Sequence, residues 1–151
     1  MTAELPAVSG TSSRAIHPLL VPFPIAFFVI ALLSDIAFGS TGIGGFAAAS
    51  LWLIGAGVVS AMVAGIAGVF DFLYAHRPLR LSQVRFHAAA TVGLVILQCL
   101  NFFLRQADPA TDILPRGLLL SVLSILLMLM IGWMGRRLAP QRPDSPEGRL
   151  S

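Results

Sequence analysis

The chain has 151 residues, of which 56% are hydrophobic and only 11% are charged, and its formal net charge is +3. Soluble domains carry roughly 45–50% apolar and about 25% charged residues, so this composition excludes an ordinary water-soluble domain. All ten basic residues are arginines. They flank the apolar segments and form no patch, which argues against a nucleic-acid partner.

Four long segments contain no Asp, Glu, Lys or Arg, at residues 15–34, 36–70, 86–104 and 117–135. A hydrocarbon core about 30 Å thick needs around 20 apolar residues in a helix. The sequence therefore predicts an all-α integral membrane four-helix bundle, at residues 17–137. Its helices are expected at about 18–38, 46–75, 85–104 and 117–135. The leader, 1–16, and the polar tail, 138–151, are expected to be disordered.

The first apolar segment opens with His17 and three closely spaced prolines. Pro18 suits the first turn of a helix, where its missing N–H would be unpaired anyway. Pro22 and Pro24 each remove a hydrogen bond further along. We expect a kinked helix that begins near Pro18. A cleavable signal peptide would need a basic region before the apolar segment, but no basic residue precedes Arg14.

The second segment carries small residues four positions apart, at Gly57, Ala61 and Gly65 and at Ala64 and Gly68. Small residues at this spacing let membrane helices approach closely. The pattern predicts a tightly packed helix and indicates no chemistry.

The third and fourth segments add little chemistry of their own. The third holds Cys99, the only cysteine, so no disulfide can form within the chain. The fourth is almost entirely Leu, Ile and Met, with Ser121 and Ser124 as its polar residues. We expect it to be a structural or lipid-facing helix.

The arginines predict the topology. Apart from Arg149 near the end of the chain, seven of them lie on one side in a four-span arrangement, at positions 14, 77, 80, 85, 136, 137 and 142. Arg105 and Arg116 lie on the other side, in the loop between the third and fourth helices. The excess of arginine on the cytoplasmic side of membrane proteins places both termini in the cytoplasm. The predicted location is the bacterial cytoplasmic membrane.

Ionisable residues within or beside membrane spans are candidates for function. The first and third helices enter from the cytoplasm and the second helix leaves there. His17, His87, Asp71 and His76 should therefore converge at the cytoplasmic end of the bundle. They form either a site or an interfacial rim in contact with water.

Simpler roles exist for several of these residues. His17 and His76 could be ordinary interfacial residues. Asp71 could pair with a loop arginine, either Arg77 or Arg80. Asp35 lies about one turn from the outer end of the first helix and is expected to face water there.

A polar stripe runs along the third helix. Gln98 and Asn101 follow His87 by eleven and fourteen residues, close to whole turns of 3.6 residues. This stripe should face the interior of the bundle. Gln98 and Asn101 are interpreted as hydrogen-bonding links between helices.

Residues 17–25, residues 64–72, residues 85–88 and Asn101 together resemble the bacterial membrane family catalogued as domain of unknown function 2231. The resemblance covers about 17–137. It implies a four-helix membrane fold and supplies no activity.

Within that resemblance, His17, Asp71 and His87 match the motifs of the family. Pro22 stands where the family often has a second histidine. This departure weakens the argument for a metal or haem ligand at that place.

Three functions remain open. The chain lacks a phosphate loop and the HExxH, GxSxG and CxxC motifs, which favours a non-enzymatic membrane protein without a metal. A second hypothesis is a redox module that binds haem b or quinone through His17 and His87, because haem iron accepts two histidines and bundle cores house cofactors. A third is an oligomeric ion or solute pathway that uses Asp35 and Asp71. The expected partners are the lipid bilayer and either another membrane protein or further copies of the chain.

Overall fold

The computed structural model describes residues 16–74, 81–106 and 108–138. Its helices in chain order are α1 (His17–Leu20), α2 (Pro22–Thr41), α3 (Gly44–Tyr74), α4 (Leu81–Leu104), α5 (Pro109–Asp112) and α6 (Leu118–Leu138). No strand occurs within these described ranges. The predicted leader and tail lie almost entirely outside them.

Four helical segments are long and apolar enough to cross a membrane: His17–Thr41, Gly44–Tyr74, Val84–Leu104 and Ile113–Gly135. The prediction of an all-α membrane bundle of four helices is confirmed.

The proline-rich entry is helical. Val21, between α1 and α2, has helical backbone angles (φ −56°, ψ −36°), and its N–H donates to the carbonyl of His17 at 3.1 Å. Pro24 lies in the first turn of α2 and is buried against the bundle. The first span thus begins at His17 and passes through the prolines, with a break between α1 and α2 at Val21.

A two-residue connection makes α2 and α3 an antiparallel pair. Gly42 ends α2 in the left-handed conformation (φ 68°), and its N–H donates to the carbonyl of Phe38 at 2.8 Å. Glycine is favoured here because a side chain would be strained at positive φ. The chain then turns through Ile43 and starts α3 at Gly44.

The predicted small-residue face of α3 packs closely against α2. A Cβ atom at Gly57 would lie 2.3 Å from Cε1 of Phe28, so only glycine fits there. Ala64 is buried as well. A Cβ atom added at Gly65 would have no neighbouring atom within 4 Å, so Gly65 lies outside the contact between α2 and α3.

Packing is uneven along α4 and α6. Their buried residues lie toward one end of the bundle, at Leu94, Gln98, Asn101, Ser121 and Ser124. In the other half, none of the residues 84–93 of α4 or 125–135 of α6 is buried. We call the half with these buried residues the closed end. In the other half the side chains are less buried, although Met128 and Ile131 of α6 still pack against the core that contains Phe28.

Candidate functional sites at the two ends of the bundle

The closed end contains a buried ion pair. Asp35 of α2 and Arg105, just after α4, are both 0% exposed. The guanidinium binds the carboxylate in bidentate fashion, with Nη1 2.6 Å from Oδ1 and Nη2 2.9 Å from Oδ2. We call Asp35, Arg105 and the polar residues bonded to them the arginine end.

Two serines complete the shell of the carboxylate. Ser50 of α3 donates to Oδ1 of Asp35 at 2.5 Å, and Ser121 of α6 donates to Oδ2 at 2.7 Å. With the two bonds from Arg105, the carboxylate accepts four hydrogen bonds. That is about the full acceptor capacity of an ionised carboxylate.

The guanidinium is equally well satisfied. Beyond the bonds to Asp35, its Nε donates to Oδ1 of Asn101 at 2.9 Å, Nη1 to Ser50 at 2.9 Å and Nη2 to Ser121 at 3.1 Å. All five N–H donors of the arginine are therefore used.

Gly117 makes room for this group. A Cβ atom at Gly117 would lie 2.7 Å from Nη2 of Arg105 and 2.9 Å from its Cζ. The absence of a side chain lets the buried guanidinium pack against the backbone.

The polar stripe of α4 belongs to the same network. Nδ2 of Asn101 donates to Gln98 at 3.1 Å and to Ser121 at 3.2 Å. The bond to Ser121 joins α4 to α6, so the predicted role of Asn101 as an interhelical link is confirmed. Since Asp35 lies on α2 and Ser50 on α3, the network joins all four spans.

Two sequence-based expectations are wrong at this end. Asp35 does not face water, because the guanidinium of Arg105 and two serines replace its hydration. Arg105 is not an ordinary loop residue, since it points back into the bundle. The fourth helix has a structural role here, because Ser121 contributes to the network.

A signal for Arg105 was present in the sequence. It follows Gln98 and Asn101 by seven and four residues, so it extends the polar stripe by one more turn. Because Arg105 falls in the predicted loop after the third helix, the predicted polar stripe ended at Asn101.

The opposite end of the bundle holds His17, Asp71 and His87, which we call the histidine end. The backbone N–H of His17 donates to Oδ2 of Asp71 at 2.8 Å. The ring nitrogen Nδ1 of His17 lies 2.8 Å from the carbonyl oxygen of Ala64. A carbonyl can only accept, so Nδ1 carries the proton and Nε2 of a neutral ring presents its lone pair.

At this end the imidazole rings of His17 and His87 each lie close to a glycine of a neighbouring helix. A Cβ atom at Gly68 would lie 3.0 Å from Nδ1 of His17, and one at Gly135 would lie 3.6 Å from Cε1 of His87.

His87 has an unsatisfied ring nitrogen. Its Nδ1 is the one buried side-chain nitrogen or oxygen without a hydrogen-bond partner in the described part of the chain. Buried polar atoms are nearly always bonded, so each exception calls for an explanation.

The candidate polar residues thus lie at two ends of the bundle. His17 and Asp71 are hydrogen-bonded at the histidine end, where His87 also lies, whereas Asp35 and Asn101 belong to the arginine end.

The remaining site predictions lie partly outside the described residues. His76 is among these, and so are Arg77 and Arg80, so their predicted proximity to the cluster stays a prediction. The partner that the structure gives Asp71 is the backbone of His17. Within the described residues, no three His, Cys, Asp or Glu side chains are grouped so as to hold a metal ion.

Comparison with known proteins identifies one family. Neither the curated proteins nor the solved structures gave a match. The family described as "Predicted membrane protein (DUF2231)" matches residues 13–142, which include all four spans. The chain therefore belongs to the DUF2231 family of membrane proteins.

Proposed function

We propose that this chain is a non-enzymatic multi-pass protein of the bacterial cytoplasmic membrane, whose four helices are fixed by the arginine end. The observation that carries the proposal is the saturation of the ion pair. Asp35 and Arg105 have their hydrogen-bonding groups satisfied by the chain itself, and both side chains are 0% exposed. A catalytic acid or base must exchange its proton, and neither group is free to do so.

The same saturation argues against an ion or solute pathway through Asp35. Charged residues that serve such pathways face water-filled cavities. Asp35 instead accepts bonds from Arg105, Ser50 and Ser121 in the packed half of the bundle.

Flux and stability measurements test this proposal together. Purified protein in liposomes is expected to conduct neither protons nor sodium ions. Asp35→Asn should lower the stability of the protein without changing flux. A flux that disappears in Asp35→Asn or in Asp71→Asn would overturn the proposal.

We infer the topology from the arginine distribution. Burial of Arg105 in an ion pair removes it from the charges of the outer loop, which leaves Arg116 there against seven arginines on the opposite side. This strengthens the asymmetry that places both termini in the cytoplasm. A reporter that is active only in the periplasm, fused after Arg142, should be inactive, and activity there would contradict this orientation.

The histidine end supports a second candidate function, a redox module. Nδ1 of His17 lies 2.8 Å from the carbonyl oxygen of Ala64, so a lone pair would be present on Nε2 whenever the ring is neutral, and Nδ1 of His87 is buried without a partner. Histidines that ligate a metal usually donate their other ring N–H to a carbonyl or carboxylate, as His17 does to Ala64. Haem b is one redox group that such a histidine could hold.

An absorption spectrum tests the haem form of this candidate. Protein purified from a haem-supplied host would show a Soret band that shifts with dithionite and is lost in His17→Ala and His87→Ala. Colourless protein would reject haem.

A further inference from the structure

We propose that anionic phospholipids bind where α4 begins and α6 ends, with the lipid phosphate attracted by Arg85 of α4 and by Arg136 and Arg137 of α6. This inference goes beyond the proposed function, because it names a ligand for a surface that the structural role of the bundle does not use.

The first step is the common level of the three arginines. A Cβ atom added at Gly135 of α6 would lie 3.6 Å from Cε1 of His87 of α4, so these two residues are neighbours on adjacent helices. Arg85 precedes His87 by two residues, and Arg136 and Arg137 directly follow Gly135. Since α4 leaves this end of the bundle and α6 returns to it, the three backbone positions lie within roughly one helical turn, about 5 Å, of the same level.

The second step is the lack of acids beside these arginines. Neither α4 (Leu81–Leu104) nor α6 (Leu118–Leu138) contains an aspartate or a glutamate. Arg85 is exposed and forms no ion pair with any residue that the structure describes. The tail that follows α6 contains two arginines and two acids, so it leaves the net positive charge of these two helix ends unchanged.

The third step is the apolar surface next to the arginines. Phe86 is 63% exposed and Trp133 is 51% exposed. Phe86 adjoins Arg85, and Trp133 precedes Arg136 by three residues, which places it about 4.5 Å deeper along the helix. Tryptophan is enriched at the level of the lipid head groups. The arginines therefore lie where phosphates lie, and the exposed apolar side chains lie where acyl chains begin.

This position favours a lipid over a soluble anion. Arg85 is the second residue of the span Val84–Leu104, at the edge of the apolar segment. Guanidinium groups bind phosphates through charge-assisted hydrogen bonds. A zwitterionic lipid carries its own cation, which offsets the attraction, whereas a lipid with a net negative charge keeps all of it.

Electron spin resonance of spin-labelled lipids tests the proposal on the full-length protein in phosphatidylcholine liposomes. Spin-labelled phosphatidylglycerol should associate about fivefold more strongly than spin-labelled phosphatidylcholine, which is the factor expected for one arginine at a lipid surface. Combining Arg85→Gln, Arg136→Gln and Arg137→Gln should lower this preference at least about twofold. The same three positions changed to lysine should keep it, because the charge remains. Arg116→Gln removes an exposed arginine at the opposite end and should leave the preference unchanged.

Measurements on the native protein keep the test valid if a variant fails to fold. Sodium chloride at 1 M should remove most of the preference, because charges are then screened within about 3 Å. Inorganic phosphate at matched ionic strength should displace no phosphatidylglycerol. Equal association of the two lipids, an equal loss in Arg116→Gln, or a preference that survives 1 M salt or the triple glutamine change would overturn the inference. Displacement by inorganic phosphate would also overturn it, because the site would then take a soluble anion.

Discussion

Separating Asp35 from Arg105 should destabilise the bundle more than any other polar substitution at the arginine end. Asp35→Ala leaves a guanidinium buried with two of its five donors unpaired. Arg105→Ala leaves a buried carboxylate with bonds only from Ser50 and Ser121. Removing one partner of a buried ion pair costs about 3–5 kcal/mol, because the remaining charge is uncompensated.

The double variant should be less destabilised than the sum of the two single variants. When both charges are removed, no buried charge remains unpaired, and what is lost is packing and hydrogen bonds to neutral groups. We expect the double variant to lose about as much stability as either single one. The coupling free energy, which is the sum of the two single losses minus the double loss, should then equal one single loss, about 3–5 kcal/mol, at or above the usual range for residues in direct contact.

Unfolding in mixed micelles with increasing sodium dodecyl sulfate measures these free energies. A control exists nearby: Arg116→Ala removes an exposed charge. It should change the free energy of unfolding by less than about 0.5 kcal/mol. Additive losses in the double variant, with coupling near zero, would refute the assignment of this pair as the element that holds the helices together.

Three further predictions concern glycines and the outer loop. Gly117→Ala should cost about 1–3 kcal/mol of unfolding free energy, because its Cβ would lie 2.7 Å from a guanidinium that cannot move aside. Gly57→Ala should cost a similar amount by the same micelle assay, whereas Gly132→Ala, with nothing within 4 Å, should be neutral or stabilising. The hydrogen bond from Thr111 lowers the pKa of Asp108 below 3.8. The contribution of this carboxylate to stability is therefore present above its unfolded pKa and lost as the pH falls through the lower folded value. Carboxyl NMR titration should give a pKa below 3.8 that rises in Thr111→Ala.

The four spans were predictable because the signal is carried by long segments. Each needs only length and the absence of charge, and both are properties of the sequence alone. The close contact of α3 was predictable at Gly57 for a similar reason, since spacing by four residues repeats on one helix face.

The ion pair was harder to predict because its members are 70 residues apart. Each residue taken alone fits a position near the membrane edge, where aspartate and arginine are common and face water. Only the packing of four helices shows that both side chains turn inward. Helical phase could have extended the stripe from Asn101 to Arg105, but it could not have named Asp35 as the partner.

The histidine end was predicted in outline and not in detail. Alternation of helix direction predicted His17, Asp71 and His87 at one level, and the structure gives a hydrogen bond between the first two. Asp71 accepts a hydrogen bond from the backbone N–H of His17, and the carbonyl of Ala64 accepts one from Nδ1 of the same residue. Both contacts depend on how closely α1 lies against α3. Sequence patterns do not specify that distance.

The sequence separation of the ion pair has a consequence for biogenesis. Asp35 enters the bilayer on the first span, and its arginine is synthesised 70 residues later. At a rate of chain synthesis of about 5–20 residues per second, Arg105 is made roughly 4–14 s after Asp35. Ser50, only 15 residues away on the next helix, is the first group able to bond it. A nascent chain that stalls before Arg105 would hold an uncompensated acid within the membrane, a feature by which quality-control proteases could recognise an unfinished bundle.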